Sequence, residues 1–137
     1  MKYVEGQKGI RGIHDDVVET LKKGDTYYRY SSSDAHKKPD LRNEYLSKKY
    51  RLLRDQKQLE RKVITNMPNK MGKHPRLERE IKVVPPDFDL FEYRISQIIY
   101  GNKVAVIDYN TETGVVIENA TIAKFQQKIF ELLFRKL

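Results

Sequence analysis

At 137 residues with no cysteine, the chain has the length of one domain, and disulfides, cysteine-ligated zinc and thiol nucleophiles are excluded. Its 39% hydrophobic and 34% charged residues, with a mean hydropathy of -0.73, sit on the polar side of the soluble globular range, and at this length roughly 68% of the unfolded surface is buried on folding. With 27 Lys and Arg against 19 Asp and Glu, the formal charge of +8 attracts phosphates or acidic partners; no apolar run nears the roughly 20 residues of a membrane span, so a soluble cytoplasmic protein is expected.

The first element is a short strand, Lys2 to Glu5, broken by Gly6 and Gly9. From Ile10 the apolar residues Ile10, Ile13, Val17 and Leu21 recur at the spacing of one helical face. Lys22, Lys23 and Gly24 supply a cationic last turn and a following glycine, so a helix is predicted from about Ile10 to Lys23. Thr26 to Ser32 alternates aromatic and polar residues and reads as a second strand. "SDAHKKPD", Ser33 to Asp40, is polar and holds a proline, which predicts a loop; Asp40 then caps a helix over Leu41 to about Lys57. Lys62 to Pro68 reads as a short buried strand ended by proline.

Asn69 to Glu80 has no sustained period and is assigned to a loop, followed by a strand over Ile81 to Val84 and the rigid connection "PPDFD". Leu90 to Tyr100 places Phe91, Tyr93 and Ile95 on one face and Glu92, Arg94 and Ser96 on the other, the alternation of a half-buried strand. Gly101 and Asn102 make a hairpin turn into the apolar run Lys103 to Tyr109; "NTETG" turns the chain again into Val115 to Glu118. Asn119 is the N-cap of a final helix in which Ile122, Phe125, Ile129, Leu132 and Leu133 face one way, while Phe130, Phe134 and Leu137 widen the stripe. So wide a band suits both the sheet and a second copy or another domain. The expected fold is α/β, with a mixed sheet, crossover helices in the first half, a C-terminal antiparallel meander and a long terminal helix.

Phosphate-binding glycine motifs are excluded by spacing: Gly6, Gly9 and Gly12 in "GQKGIRGIHDD" match neither the dinucleotide fingerprint nor the P-loop. "HDD", His14 to Asp16, is the one compact metal-like cluster, but neighbours one and two apart on a helix diverge, so a solvated acidic patch is expected and no metal or cofactor. "HKKPDLRN" places His36, Lys38 and Asn43 at the spacing H-x-K-x4-D of phospholipase D chemistry, in which His attacks phosphorus and Asp orients it. Asn at the last position and Pro39 inside the motif argue against catalysis, and no enzymatic activity is expected.

"EGQKGIRGIHDDVVETLKKGDTYYRYSS" and "IYGNKVAVIDYNTETGVVIENATIAKFQQKIFELLFRKL" together resemble the C-terminal effector domain of TrmB-like transcriptional regulators, over Glu5 to Ser32 and Ile99 to Leu137. The resemblance implies a phospholipase D-like fold without its catalytic residues. It also implies a sensing or dimerising role beside an N-terminal helix-turn-helix, which this sequence does not include; several members of that family bind sugars.

The expected function is therefore non-enzymatic ligand sensing and homodimerisation within a transcription regulator, residues 1–137 forming a single effector domain. A sugar or anionic ligand is placed at the C-terminal ends of the strands, which singles out Arg29, Ser31, Ser32, Asn66 and Arg94. The alternative expectation is a nucleic-acid-binding or vestigial nuclease-like module using the basic middle segment, with Lys48, Lys49, Arg51 and Arg54 on phosphates.

Overall fold

The structure, a computed structural model, describes residues 1–31, 51–66 and 79–137, apart from the side chains of Arg51, Leu53 and Arg79. In chain order the elements are β1 (Lys2–Glu5), α1 (Gly6–Thr20), β2 (Thr26–Ser31), α2 (Arg51–Gln56), β3 (Glu60–Thr65), β4 (Arg79–Val83), β5 (Ile95–Tyr100), β6 (Lys103–Asp108), β7 (Thr113–Glu118) and α3 (Ala120–Lys136). The predicted loops at Ser33 to Asp40 and most of Asn69 to Glu80, the cap at Asp40 and the first part of the helix from Leu41 lie outside the described residues.

Among the described residues seven strands form one sheet in the order β1-β7-β6-β5-β2-β3-β4. β2, β3 and β4 run parallel; every other neighbouring pair is antiparallel, so the sheet is mixed, as the sequence indicates. Its two faces carry different cores because strand side chains alternate. Ile10, Ile13 and Val17 of α1, with Leu21 just past its end, pack with Tyr27, Ile98, Tyr100, Ala105, Ile107 and Val116, whereas Ala123, Phe130 and Phe134 of α3 pack with Ile64, Ile99 and Val104 on the other face. The molecule is thus layered helix, sheet, helix.

α1 begins at Gly6 rather than Ile10. Gly6 sits at φ +73, where an L side chain is strained, and its N–H donates to the carbonyl of Glu112 at 2.7 Å. The helix stops at Thr20 because Leu21 is extended, and the following turn closes on Asp25, whose Oδ2 accepts from Lys22 N at 2.8 Å. Gly24, at φ +84, serves this turn and donates to the carbonyl of Lys57 at 3.1 Å. Lys57 in turn donates its Nζ to the carbonyls of Val18 and Leu21, which fastens the exit of α2 to the end of α1.

The segment Leu90 to Tyr100 is not one strand. Asp89 Oδ1 accepts from Phe91 N at 2.8 Å, Arg94 N donates to the carbonyl of Phe91 at 3.0 Å, and Arg94 takes a left-handed φ of 55, so pairing starts only at Ile95. The turn inverts the expected faces: Ser96 is fully buried and Ile95 is partly in solvent.

The end of α3 is as expected, with Asn119 Oδ1 accepting from Ile122 N at 3.0 Å, but its orientation is not. Phe130 and Phe134 point to the sheet, where Tyr28 and Tyr30 meet Phe130 edge-on at 5.2 and 5.0 Å between ring centroids. Outside that contact, Gln127 Nε2 donates to Tyr28 Oη at 3.1 Å, and Tyr28 donates to Glu131 Oε1 at 3.3 Å. Ile122, Phe125, Ile129 and Leu132 are left on the outside.

Candidate functional site

Three regions combine exposure or buried polarity with a definable geometry. The first is the α1 face of the sheet at the C-terminal ends of β2 and β3. Arg29 lies there opposite Ile98 and Val63, and Ser31 is paired with Thr65. One step beyond the last antiparallel pair, Tyr30 with Gln97, the backbone sets Ser31 across from Ser96. Arg29, Thr65 and Ser96 are all buried. Of the predicted ligand residues, Arg29 and Ser31 thus share a face, whereas Asn66 reaches the other way, its Nδ2 donating to Asp89 Oδ2 at 3.4 Å. Arg94 stands in the turn before β5, where its carbonyl accepts from Tyr109 N at 3.2 Å, and Ser32 lies outside the described residues.

Ser96 and Thr65 have no functional reading in the sequence and His14 has one only within the metal-like "HDD", yet all three are buried. His14 carried a signal: it follows Ile10 by four and precedes Val17 by three, so the period that predicts α1 also points His14 inward. Ser96 carried none, because its inward position depends on the backbone turn at Arg94.

The second region is a polar network where α1 passes the β5–β6 hairpin. Tyr100 donates its hydroxyl to Asp16 Oδ2 at 2.8 Å. Lys103 Nζ lies 3.2 and 3.0 Å from Asp16 Oδ1 and Oδ2 and 3.2 Å from Thr20 Oγ1. Burial works to raise the Asp16 carboxyl, but the hydrogen bonds from Lys103 and Tyr100, the Lys103 charge and Thr20 together hold it below the usual aspartate range. Burial, then the bond to Asp16 and its charge, pushes the Tyr100 hydroxyl far up. Asp16 stays a carboxylate and Tyr100 a phenol, and their hydrogen bonds are directed at each other and at Lys103. The network ties α1 to the β5–β6 hairpin. It corrects the expected solvated acidic patch at His14 to Asp16: His14 is buried and Asp16 is paired. A groove of about 720 Å³ opens beside it, lined by carboxylates (Glu5, Asp16, Glu19, Glu118) and amines (Lys2, Lys8, Lys103) in mixture.

The third region is the outer side of α3. Phe125 and Leu132 are 63% and 62% exposed, and Ile122 and Ile129 are 40% and 42% exposed. At about 100° per residue these four fall within roughly 80° of arc, and their spacing of three, four and three residues is that of a heptad seam. Lys124, Lys128 and Arg135 are exposed along one flank of this stripe. Beside the stripe a hollow of about 280 Å³ is walled by Tyr30, Leu90, Phe91, Ile95, Gln97 and Gln126, with Gln97 Nε2 donating to Gln126 Oε1 at 3.1 Å. Leu90 and Ile95 are themselves 41% and 36% exposed, so the apolar surface continues from α3 onto the turn before β5.

Of the basic residues proposed for nucleic acid, Lys48 and Lys49 and the side chain of Arg51 lie outside the described residues, as do His36, Lys38 and Asn43. Arg54 is buried, 2% exposed, with its Nη2 3.5 Å from Asp55 Oδ1, and a side chain so enclosed does not reach a phosphate backbone. Among the described residues no group of three or more His, Asp or Glu is placed to hold a metal ion, and no helix is long and apolar enough to cross a membrane. No protein-family model matches the chain, and no curated protein or solved structure does.

Proposed function

We propose that this chain is a non-enzymatic recognition domain that works as a pair of identical copies, the cytoplasmic effector part of a transcription regulator of the TrmB-like kind, with a phospholipase D-like arrangement of its sheet. The observation that carries the reading is the outer face of α3, where Ile122, Phe125, Ile129 and Leu132 stand in solvent although α3 is already anchored through Phe130 and Phe134. A contiguous apolar patch of this kind marks an interaction surface. In this proposal a separate helix-turn-helix segment contacts DNA, and a sugar or anionic ligand binds near Arg29 and Ser31, where guanidinium and hydroxyl groups suit phosphate or sugar oxygens.

The test is the mass of the protein in solution by light scattering over a range of concentrations. A dimer is expected, and Phe125→Glu is expected to return it to a monomer with its melting curve intact. A monomer at the highest concentration removes the reason for the exposed face and with it the proposal. The ligand half is tested by thermal shift with phosphorylated sugars, since a ligand at 100 times its Kd stabilises the folded state by about 2.7 kcal/mol.

A further inference from the structure

The hollow of about 280 Å³ between α3 and the turn before β5 has walls that are fixed before anything enters it. Its floor is Tyr30 and Gln97, which stand directly opposite each other on β2 and β5. One wall is Gln126 on α3, a helix anchored through Phe130 and Phe134. The other is Leu90, Phe91 and Ile95. The turn that carries this second wall is tied down at several points: Asn66 Nδ2 donates to Asp89 Oδ2 at 3.4 Å, Asn110 Nδ2 to the carbonyl of Tyr93 at 2.7 Å, and Tyr109 N to the carbonyl of Arg94 at 3.2 Å. A site braced in this way gives up little freedom on binding.

Among the described residues, those lining the hollow include no Lys, Arg, Asp or Glu, in a chain of which 34% of residues are charged. A charged occupant would lose its hydration there without an ionic partner, which selects a neutral one. The polar groups are few and lie together. A side-chain amide offers two N–H donors and a carbonyl acceptor. Gln97 Nε2 donates to Gln126 Oε1 at 3.1 Å, and among the described residues this is the one bond between the two amides, so Gln97 Oε1 is left as an acceptor and Gln126 Nε2 as a donor. Turning both amides over exchanges these roles and leaves the same pair. Burial holds the Tyr30 hydroxyl above the usual tyrosine range, so it too is neutral. Volume sets the size: benzene occupies an engineered cavity of about 150 Å³, and sites for drug-sized molecules begin at about 300 Å³. The hollow accepts one ring or two fused rings.

We propose that this hollow binds a neutral, flat ring compound bearing an amide or a similar adjacent donor and acceptor, its ring between Tyr30, Leu90 and Ile95 and its polar edge on Gln97 and Gln126. The site lies on the opposite face of the sheet from Arg29 and Ser31, and neither depends on the other.

The probes are benzamide and benzoate, which share a ring and differ in charge. Each is titrated into isotope-labelled protein to the same high concentration, and the side-chain amide resonances of Gln97 and Gln126 are followed by NMR. Benzamide is expected to shift both saturably, and benzoate to bind about tenfold more weakly or less, the scale of one unpaired buried polar group. Gln126→Leu, at a partly exposed position, is expected to weaken benzamide by about tenfold with the melting curve unchanged. Leu90→Lys, which sets a cation beside the hollow, is expected to remove the preference for benzamide. Absence of a saturable shift with benzamide, equal binding of the two probes, or binding unaltered in both variants overturns the proposal.

Discussion

Tyr100 donates its hydroxyl to Asp16 Oδ2 at 2.8 Å, a bond that joins α1 to the end of β5 across 84 residues of chain. It makes the stability sensitive to pH at both ends. The Asp16 carboxyl is held low in the folded state, so its contribution is present above the unfolded value of about 3.9 and is lost as pH falls through the lower folded value. The Tyr100 hydroxyl is held high, so its contribution is present below about pH 10, the unfolded value, and is lost as pH rises beyond it. Urea unfolding as a function of pH should give an acid limb that flattens in Asp16→Asn and an alkaline limb that flattens in Tyr100→Phe. At neutral pH Tyr100→Phe should cost about 1.5 kcal/mol, the scale for a hydrogen bond to a charged group.

Phe125 and Phe130 belong to one helix and one residue type but to opposite environments. Phe130 is fully enclosed between Tyr28, Tyr30 and Phe134, so Phe130→Ala should destabilise the protein by about 3–4 kcal/mol in denaturant melts. Phe125→Ala should change the stability of the isolated monomer by no more than about 0.5 kcal/mol, while reducing the mass of the assembly in solution. Equal losses from the two substitutions would contradict the orientation of α3.

Gly9 and Gly12 are three residues apart on α1, yet alanine should act on them in opposite directions. A Cβ at Gly9 would come within 2.9 Å of Val4 Cβ, so Gly9→Ala should cost about 1 kcal/mol or more despite the better helix propensity. At Gly12 a Cβ meets open space, and Gly12→Ala should stabilise by about 0.5–1 kcal/mol. Thermal melts of the two single variants decide the matter.

Ser96 is fully buried, and among the described residues its Oγ has no hydrogen-bond partner. An unpaired buried hydroxyl costs about 1–3 kcal/mol, so Ser96→Ala should raise stability by about 1 kcal/mol. A clear loss on the same substitution would instead show that the hydroxyl is engaged in solution, next to Ser31 at the end of the parallel strands.

Periodicity made much of the fold legible. The meander from Ile95 onward, the hairpin at Gly101 and Asn102, and the cap at Asn119 all follow from local patterns: each depends on residues within a few positions of one another, where backbone preference and alternation act directly. Local pattern does not account for the glycine at 114. Gly114 is small because its Cβ would meet Ile13 Cδ1 at 2.7 Å, a neighbour on another element about 100 residues away in the chain.

By itself the sequence determined that α3 is a helix with an apolar band too wide for one contact, that the sheet is mixed, and that cysteine chemistry is absent. Only the tertiary structure decided which part of the band faces inward. Helical period places Phe125 and Phe130 on a wheel but carries no reference direction; that direction comes from Tyr28, Tyr30 and Ile64 on strands far along the chain. The same holds for Ser96, which one left-handed residue at Arg94 turns from the solvent side to the core, and for Asp16, whose partners Tyr100 and Lys103 come close only when β5 and β6 are laid against α1.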